Sequence, residues 1–236
     1  MNSVVPVKRF YKAVSVEEGE GGWKVMLDAR PLKTPGGRVL SVQTRSLADA
    51  VAAEWDAQIE KIKPETMPIF RLLATGLDRV ADRREEVIAA TLKYAETDLL
   101  CYRADIPADL VELQARHWQP LLDWARDELG ADLKVTNSLL PISQSPHALI
   151  ALRSAVSEYD DLGLTALSML AGTTGSLVLA LAMARARIDA EEGGALALLD
   201  EQFQADNWGE DEEARLRRHR TRSEISDTMR FYQLIG

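Results

Sequence analysis

The sequence predicts an α+β protein, with a small antiparallel β-rich N-terminal domain followed by a larger all-helical C-terminal domain. Three observations carry that expectation. Apolar and polar residues alternate with period two only ahead of residue 45, Gly and Pro punctuate that same stretch, and from Ser46 onward apolar residues recur at helical spacing. The division expected is a β-rich part over 1–45, a helical linking part over 46–80 and a helical domain over 81–236. With 236 residues, 46% of them hydrophobic, the chain is long enough to bury a large core.

Trp23, Val25 and Leu27 alternate with Lys24, Met26 and Asp28, as in a half-buried strand, and Glu18-Gly-Glu-Gly-Gly22 turns the chain back from the run over 10–16. A hairpin follows. Pro35-Gly36-Gly37 separates 32–34 from 39–42 and predicts a second one. Gly19, Gly21 and Gly22 do not form a phosphate loop, because no Gly-Lys-Ser/Thr ending follows and no helix opens there.

Ser46 with Asp49 makes a capping box of the Asp type, after which Leu47, Val51, Trp55, Ile59 and Ile62 form one stripe that Pro64 stops. Trp55 is a core residue on this reading. Asp82 and Glu85 open the next helix, with Val87, Thr91, Tyr94 and Asp98 down one side. Pro107 starts a long helix in which Leu110, Leu113, His117, Leu121 and Trp124 align, Pro120 kinks or divides it, and Gly130 follows its end. Residues 133–140 read as a short strand or extended connection. Ser145-Pro146 then restarts helix through Leu149, Leu152, Val156 and Tyr159. Residues 162–184 carry no charge, yet Gly163, Thr165, Ser168 and the break at Gly172-Thr-Thr-Gly175 dilute their hydrophobicity. They are expected to form two buried core helices rather than a membrane span.

The net charge of −9 argues against a phosphate-tracking surface, which needs clustered Lys and Arg, and so against a nucleic-acid partner. An acidic protein suits a protein partner or a cationic ligand. Cys101 is the only cysteine, so no intrachain disulfide forms and the usage is that of a reducing compartment. Residues 1–6 have neither a signal core nor a presequence character. The expected location is a bacterial cytoplasm, or the mitochondrial matrix if the chain is a processed eukaryotic protein. His117, His147 and His219 are far apart and have no His or Cys at ligand spacing. Ser176 lacks a nucleophile elbow, and Gly172-Thr-Thr-Gly-Ser176 lacks the third glycine and preceding strand of a dinucleotide fingerprint. No enzyme and no cofactor are expected, and the free protein is expected to be a monomer without stable membrane insertion.

The stretch from Leu196 to Glu213 combines an amphipathic helix with an acidic segment. Leu196, Leu199 and Phe203 make an apolar stripe, while Asp200, Glu201, Gln204 and Asp206 are expected to face outward. A solvated surface face and a docking face both fit that pattern. Acidic residues 210–213 precede Arg215, Arg217, Arg218, His219, Arg220 and Arg222, an order that complements a helix macrodipole and allows Glu-to-Arg pairs four apart. Ile225, Met229 and Tyr232 are expected to pack the last turns.

Seven segments occur in order: Arg9-Phe-Tyr-Lys, Leu27-Asp-Ala-Arg-Pro-Leu-Lys-Thr-Pro35, Glu54-Trp-Asp-Ala-Gln58, Pro64-Glu-Thr-Met-Pro68, Tyr94-Ala-Glu-Thr-Asp-Leu-Leu-Cys-Tyr-Arg103, Trp118-Gln-Pro-Leu-Leu-Asp-Trp124 and Leu199-Asp-Glu-Gln-Phe-Gln-Ala-Asp-Asn-Trp-Gly209. Together they resemble the family of ATP synthase assembly chaperones that attends the α subunit of the soluble F₁ head. The resemblance runs along almost the whole chain. Two positions depart from the pattern, with Ile69 where a hydroxyl residue is expected and Gly76-Leu77-Asp78 where Ala-Ile-Asp is expected.

The resemblance implies a chaperone without ATPase activity that holds the free α subunit, prevents its aggregation and releases it to β. It also implies that the acidic Leu-Asp-Glu-x-x-Gln segment, here Leu199, Asp200, Glu201 and Gln204 with Trp208 as its aromatic close, meets that partner. Glu201 is the leading candidate, with Asp211 at the edge of the same surface. Two alternatives come from the residues themselves: a metal-dependent hydrolase using the acidic C-terminal segment, and a membrane-attached assembly factor anchored through 162–184.

Overall fold

The computed structural model of the chain describes residues 7–138 and 140–236; residues 1–6 and Leu139, on which parts of two expectations fell, lie outside the described residues. Strands β1 (Val14–Gly19) and β2 (Gly22–Leu27) form the first hairpin in the register Val14↔Leu27 to Gly19↔Gly22. Gly21 and Gly22 have φ of 86° and 120°, and a Cβ on Gly22 would sit 2.3 Å from the Val42 carbonyl oxygen, so only glycine serves that corner. The short strands β3 (Arg30–Pro31) and β4 (Ser41–Val42) both pair with β2. The second hairpin is reduced to a bridge between Lys33 and Val39, its turn tied by Thr34, whose hydroxyl donates to Asp78 at 2.6 Å.

Helix α1 (Arg45–Asp56) is capped by Thr44, whose side chain accepts from Leu47 N, and not by Ser46; Asp49 pairs with Arg45 instead of closing a capping box. Leu47, Val51 and Trp55 are buried as expected. The helix then ends eight residues before Pro64. Arg9 donates to the carbonyls of Asp56 and Gln58, and Gln58 turns its own amide to Glu54 O and Thr66 Oγ1, which draws the chain into an extended course and leaves Ile59 exposed. Glu54 accepts from Ile69 N and Phe70 N at 2.8 Å each, so this carboxylate caps α2 (Pro68–Thr75). Four of the motif residues Glu54-Trp-Asp-Ala-Gln58 thus have structural tasks: Glu54 caps, Trp55 fills the core, Asp56 pairs with Arg9 and Gln58 pins a turn.

A π-helical turn (Gly76–Val80) leads to α3 (Arg84–Glu96). Gly76 presses against α6 (Asp161–Thr174), where an added Cβ would meet Leu162 Cδ2 at 2.6 Å, which accounts for glycine where alanine was expected. Asp82 does not cap α3; both its oxygens take Arg38 Nη2 at 2.7 Å. Asp98 has left the helix and caps other elements.

Helix α4 (Ala108–Leu129) runs unbroken through Pro120 and ends at Gly130 in the left-handed conformation. Its buried face carries Leu110, Gln114, Trp118, Leu121 and Ala125, so the expected stripe is rotated and His117 is exposed. The large indole at 118 takes the core position that a histidine would fill poorly. Residues 133–138 are an extended connection with one bridge, Tyr102↔Thr136. Ser145 caps α5 (Pro146–Ser157) as expected.

The uncharged segment forms α6 and α7 (Leu177–Ala184), separated at Gly175 with φ 69° and restarted by the Ser176 cap. No helix among the described residues is long and apolar enough to cross a membrane. Leu177 to Met183 are all buried, which accounts for the missing charge. Asp98, fully buried, accepts from Leu100 N at 3.1 Å and from Val178 N at 3.0 Å at the start of α7. Burial pushes its carboxyl up to about 6 against these bonds. Cys101 nearby is buried too, and burial pushes its thiol up to about 12.

Helices α8 (Ala190–Ala197), α9 (Leu199–Trp208) and α10 (Glu212–Ile235) complete the chain. The core has two clusters. One gathers the sheet, α1 and α2 around Val25, Trp55 and Ile69; the other gathers the later helices around Trp118, Leu152 and α7. Helix α10 enters both, with Ile225 and Met229 in the second and Phe231 in the first.

Candidate functional site

The expected single helix from Leu196 onward is two helices meeting at Leu198. Trp118 Nε1 donates to Leu196 O at 3.0 Å and takes that carbonyl out of the helical ladder, which breaks α8 from α9. Leu199 is buried and Phe203 half-buried against the helical core, so the apolar stripe is as expected.

Asp200 is not an outward group. Its Oδ1 accepts from Gln114 Nε2 at 2.8 Å, and Gln114, itself buried, accepts from Ala104 N through its other amide atom. Burial raises the Asp200 carboxyl, opposed by the Gln114 bond and the nearby Arg103 charge. Arg103 completes the cluster: its Nη1 donates to Gln114 O at 3.0 Å and its guanidinium lies 5.4 Å from the Trp118 ring centre. Burial lowers its pKa. Asp200 therefore fastens α9 to α4, and the helix pattern misassigned it because its partner is polar and buried.

Glu201 is half-buried, and its buried Oε2 lies 3.0 Å from Arg217 Nη2 on α10, an ion pair in distance without hydrogen-bond alignment. Arg218, one residue on, is buried and ties three groups together: Glu210, Gln202 Oε1 at 3.1 Å and the Glu201 carbonyl at 3.4 Å. The basic block thus braces α9 from behind. The pairs expected four apart within the tail are instead Glu212–Arg215, three apart, and these cross-helix contacts.

Gln204 and Asp206 are exposed, Asp206 accepting from Gln202 Nε2 at 2.7 Å. Trp208 is 70% exposed, with Phe203 as an edge-on neighbour at 6.1 Å. Asp211 is exposed and caps α10, accepting from Ala214 N at 2.7 Å. The structure thus brings Gln204, Trp208 and Asp211 to the surface of α9 and the start of α10, leaves Glu201 half-buried against Arg217, and turns Asp200 inward. Gln114 was missed by sequence reasoning, and Arg217 and Arg218, read there as partners within the tail, reach across to α9 instead. Among the described residues no group of three or more His, Cys, Asp or Glu is placed to hold a metal ion.

The family model described as ATP12 chaperone protein matches residues 8–126. The crystal structure of Atp12 from Paracoccus denitrificans is 44% identical, with a TM-score of 0.91 over 98% of this chain and 99% of that one. A chaperone candidate from Agrobacterium tumefaciens is 39% identical, with a TM-score of 0.90 over 97% of this chain and 86% of its own. The mitochondrial protein atp12 of Schizosaccharomyces pombe is 24% identical over 219 residues, 88% of this chain and 75% of that protein. The chain belongs to the ATP12 chaperone protein family, the assembly-chaperone family that its sequence motifs resemble.

Proposed function

We propose that this chain binds the free α subunit of the F₁ sector of ATP synthase, keeps it from aggregating and releases it to the β subunit, with no catalysis of its own. Family membership supports the chaperone role. The observation that carries the site is Trp208, a large aromatic left 70% exposed on a helix whose neighbouring surface is acidic. An exposed aromatic anchor within a charged rim is the usual anatomy of a protein interface. A subunit destined for an alternating ring exposes apolar surface before assembly, and such surface aggregates unless covered. Carboxylates at Glu201 and Asp211 speed encounter by steering, while a small apolar centre leaves the complex displaceable by a better partner. Asp200 acts from beneath, by holding α9 in place. On this reading the protein works as a free monomer in a bacterial cytoplasm, or in the matrix as a processed chain, without nucleic acid.

The test is binding of isolated α subunit to Glu201→Lys and Trp208→Ser proteins, with circular dichroism to confirm the fold. Both variants are expected to keep their helices and to bind at least tenfold more weakly, the loss of a hot-spot contact being about 2 kcal/mol. Undiminished binding in both would remove the site assignment, and no binding by the parent chain would remove the partner. Metal analysis of the purified protein separates the hydrolase alternative.

A further inference from the structure

Residues 7–10 and 59–62 lie side by side as two extended strips. Lys8 bridges to Lys61, Arg9 N donates to Glu60 O at 3.0 Å and Ile62 N donates to Val7 O at 2.9 Å, which sets Phe10 opposite Ile59. Side chains alternate along an extended chain. Arg9 turns inward over the Tyr11 ring at 4.5 Å and Ile62 packs on the N-terminal core, so Lys8, Phe10, Ile59 and Lys61 share the outward side. Phe10 is 66% exposed and Ile59 84%, the largest exposure of any large apolar residue described. Lys12 and Lys63 are exposed just beyond them. Glu60, the one carboxylate in the two strips, stands in register with Arg9 on the alternate side.

These four lysines are half of the chain's eight, gathered at one corner of a protein of net charge −9. No ion pair among the described residues uses a lysine; all are made by arginine. Here four lysines, none of them in an ion pair, surround two protruding apolar side chains.

We propose that this corner is a contact for the surface of an anionic lipid bilayer. Phe10 and Ile59 enter the interfacial layer, and Lys8, Lys12, Lys61 and Lys63 meet the headgroup phosphates. Protruding apolar groups suit a soft surface that closes around them, whereas a protein partner would have to offer a matching recess. Lysine is depleted at protein interfaces but effective beside an anionic leaflet, where each one strengthens association about fivefold. Repulsion of the acidic remainder orients the molecule with this corner down. The contact is peripheral, involves no spanning helix and does not depend on the reading of α9.

Flotation of the full chain with phosphatidylglycerol–phosphatidylcholine vesicles, against phosphatidylcholine alone, tests it. The parent is expected to float with the anionic vesicles only, and less so as salt is raised. Lys8→Glu/Lys61→Glu is expected to weaken binding at least about 25-fold. Phe10→Ser/Ile59→Ser is expected to weaken it with an unchanged salt dependence. All four sites are exposed, so both double variants should melt as the parent does. Failure to float at low salt, or vesicle binding by both variants equal to the parent's, overturns the proposal. So does a lysine variant that keeps its vesicle binding while losing isolated α subunit, which would make the corner a protein-docking surface.

Discussion

Gln114 Nε2 donates to Asp200 Oδ1 at 2.8 Å, and this bond joins the second turn of α4 to the first turn of α9 across 86 positions of sequence. The surface that presents Glu201 and Trp208 is therefore set by a polar contact beneath it. Asp200 also lies in the first turn of its helix, where a carboxylate complements the positive end of the dipole.

Removing Gln114 leaves Ala104 N and Asp200 without their partner. Gln114→Ala is expected to cost about 1–3 kcal/mol, lowering the melting temperature by about 2–10 °C in a chain of this size. Hydrogen exchange should accelerate in α9 more than in α7. Uniform acceleration would mean that the bond does not localise α9.

Asp98 gives the stability a pH dependence of known sign. Its carboxyl stands near 6 in the folded protein against an ordinary value of 3.8, so between those values the native state holds the proton more tightly than the unfolded chain. The stabilisation is complete below 3.8 and is lost as pH rises through about 6. Denaturant titrations from pH 4 to 7 should therefore show a loss on the order of 2–3 kcal/mol from this group in the difference between parent and Asp98→Asn. The variant, whose amide cannot accept at both oxygens' positions, should also be less stable by about 1–3 kcal/mol at low pH. A pH-independent difference would contradict the account.

Trp55 packs between Tyr11, at 5.7 Å between ring centres, and Phe70, at 5.1 Å, and its indole nitrogen finds no acceptor among the described residues. Volume, not the polar group, is what the site uses. Trp55→Ala is expected to cost about 3–5 kcal/mol, and Trp55→Phe much less. Equal losses in urea denaturation would show that the N–H matters after all.

Arg217 holds the Glu201 carboxylate at 3.0 Å and competes with any cation of a partner. Arg217→Ala should leave the melting temperature within about 4 °C, since exposed pairs contribute about 0–1 kcal/mol. Binding of isolated α subunit should strengthen about twofold to fivefold. Weaker binding would make Arg217 itself a contact.

What could be read from the sequence was whatever neighbouring residues decide. The corner at Gly21 and Gly22, the cap Ser145 and the stop at Gly130 are local choices, and each is where the pattern puts it. The end of α1 was misread because Arg9 sets it from 47 positions away. Likewise the break at Leu198 depends on the Trp118 indole, 78 positions from the carbonyl it takes. At the candidate site, helical periodicity separated Leu199 from Glu201 correctly but could not distinguish Asp200 from Glu201. The amide that claims Asp200 belongs to a helix whose orientation no local pattern gives.

Thr44 Oγ1 donates to Leu234 O at 2.5 Å, and Phe231 is fully buried among residues of the sheet and α1. The first core to be synthesised therefore lacks a wall until Phe231 is made. A nascent chain of this protein must wait, with Val25 and Trp55 incompletely covered, for α10 to arrive.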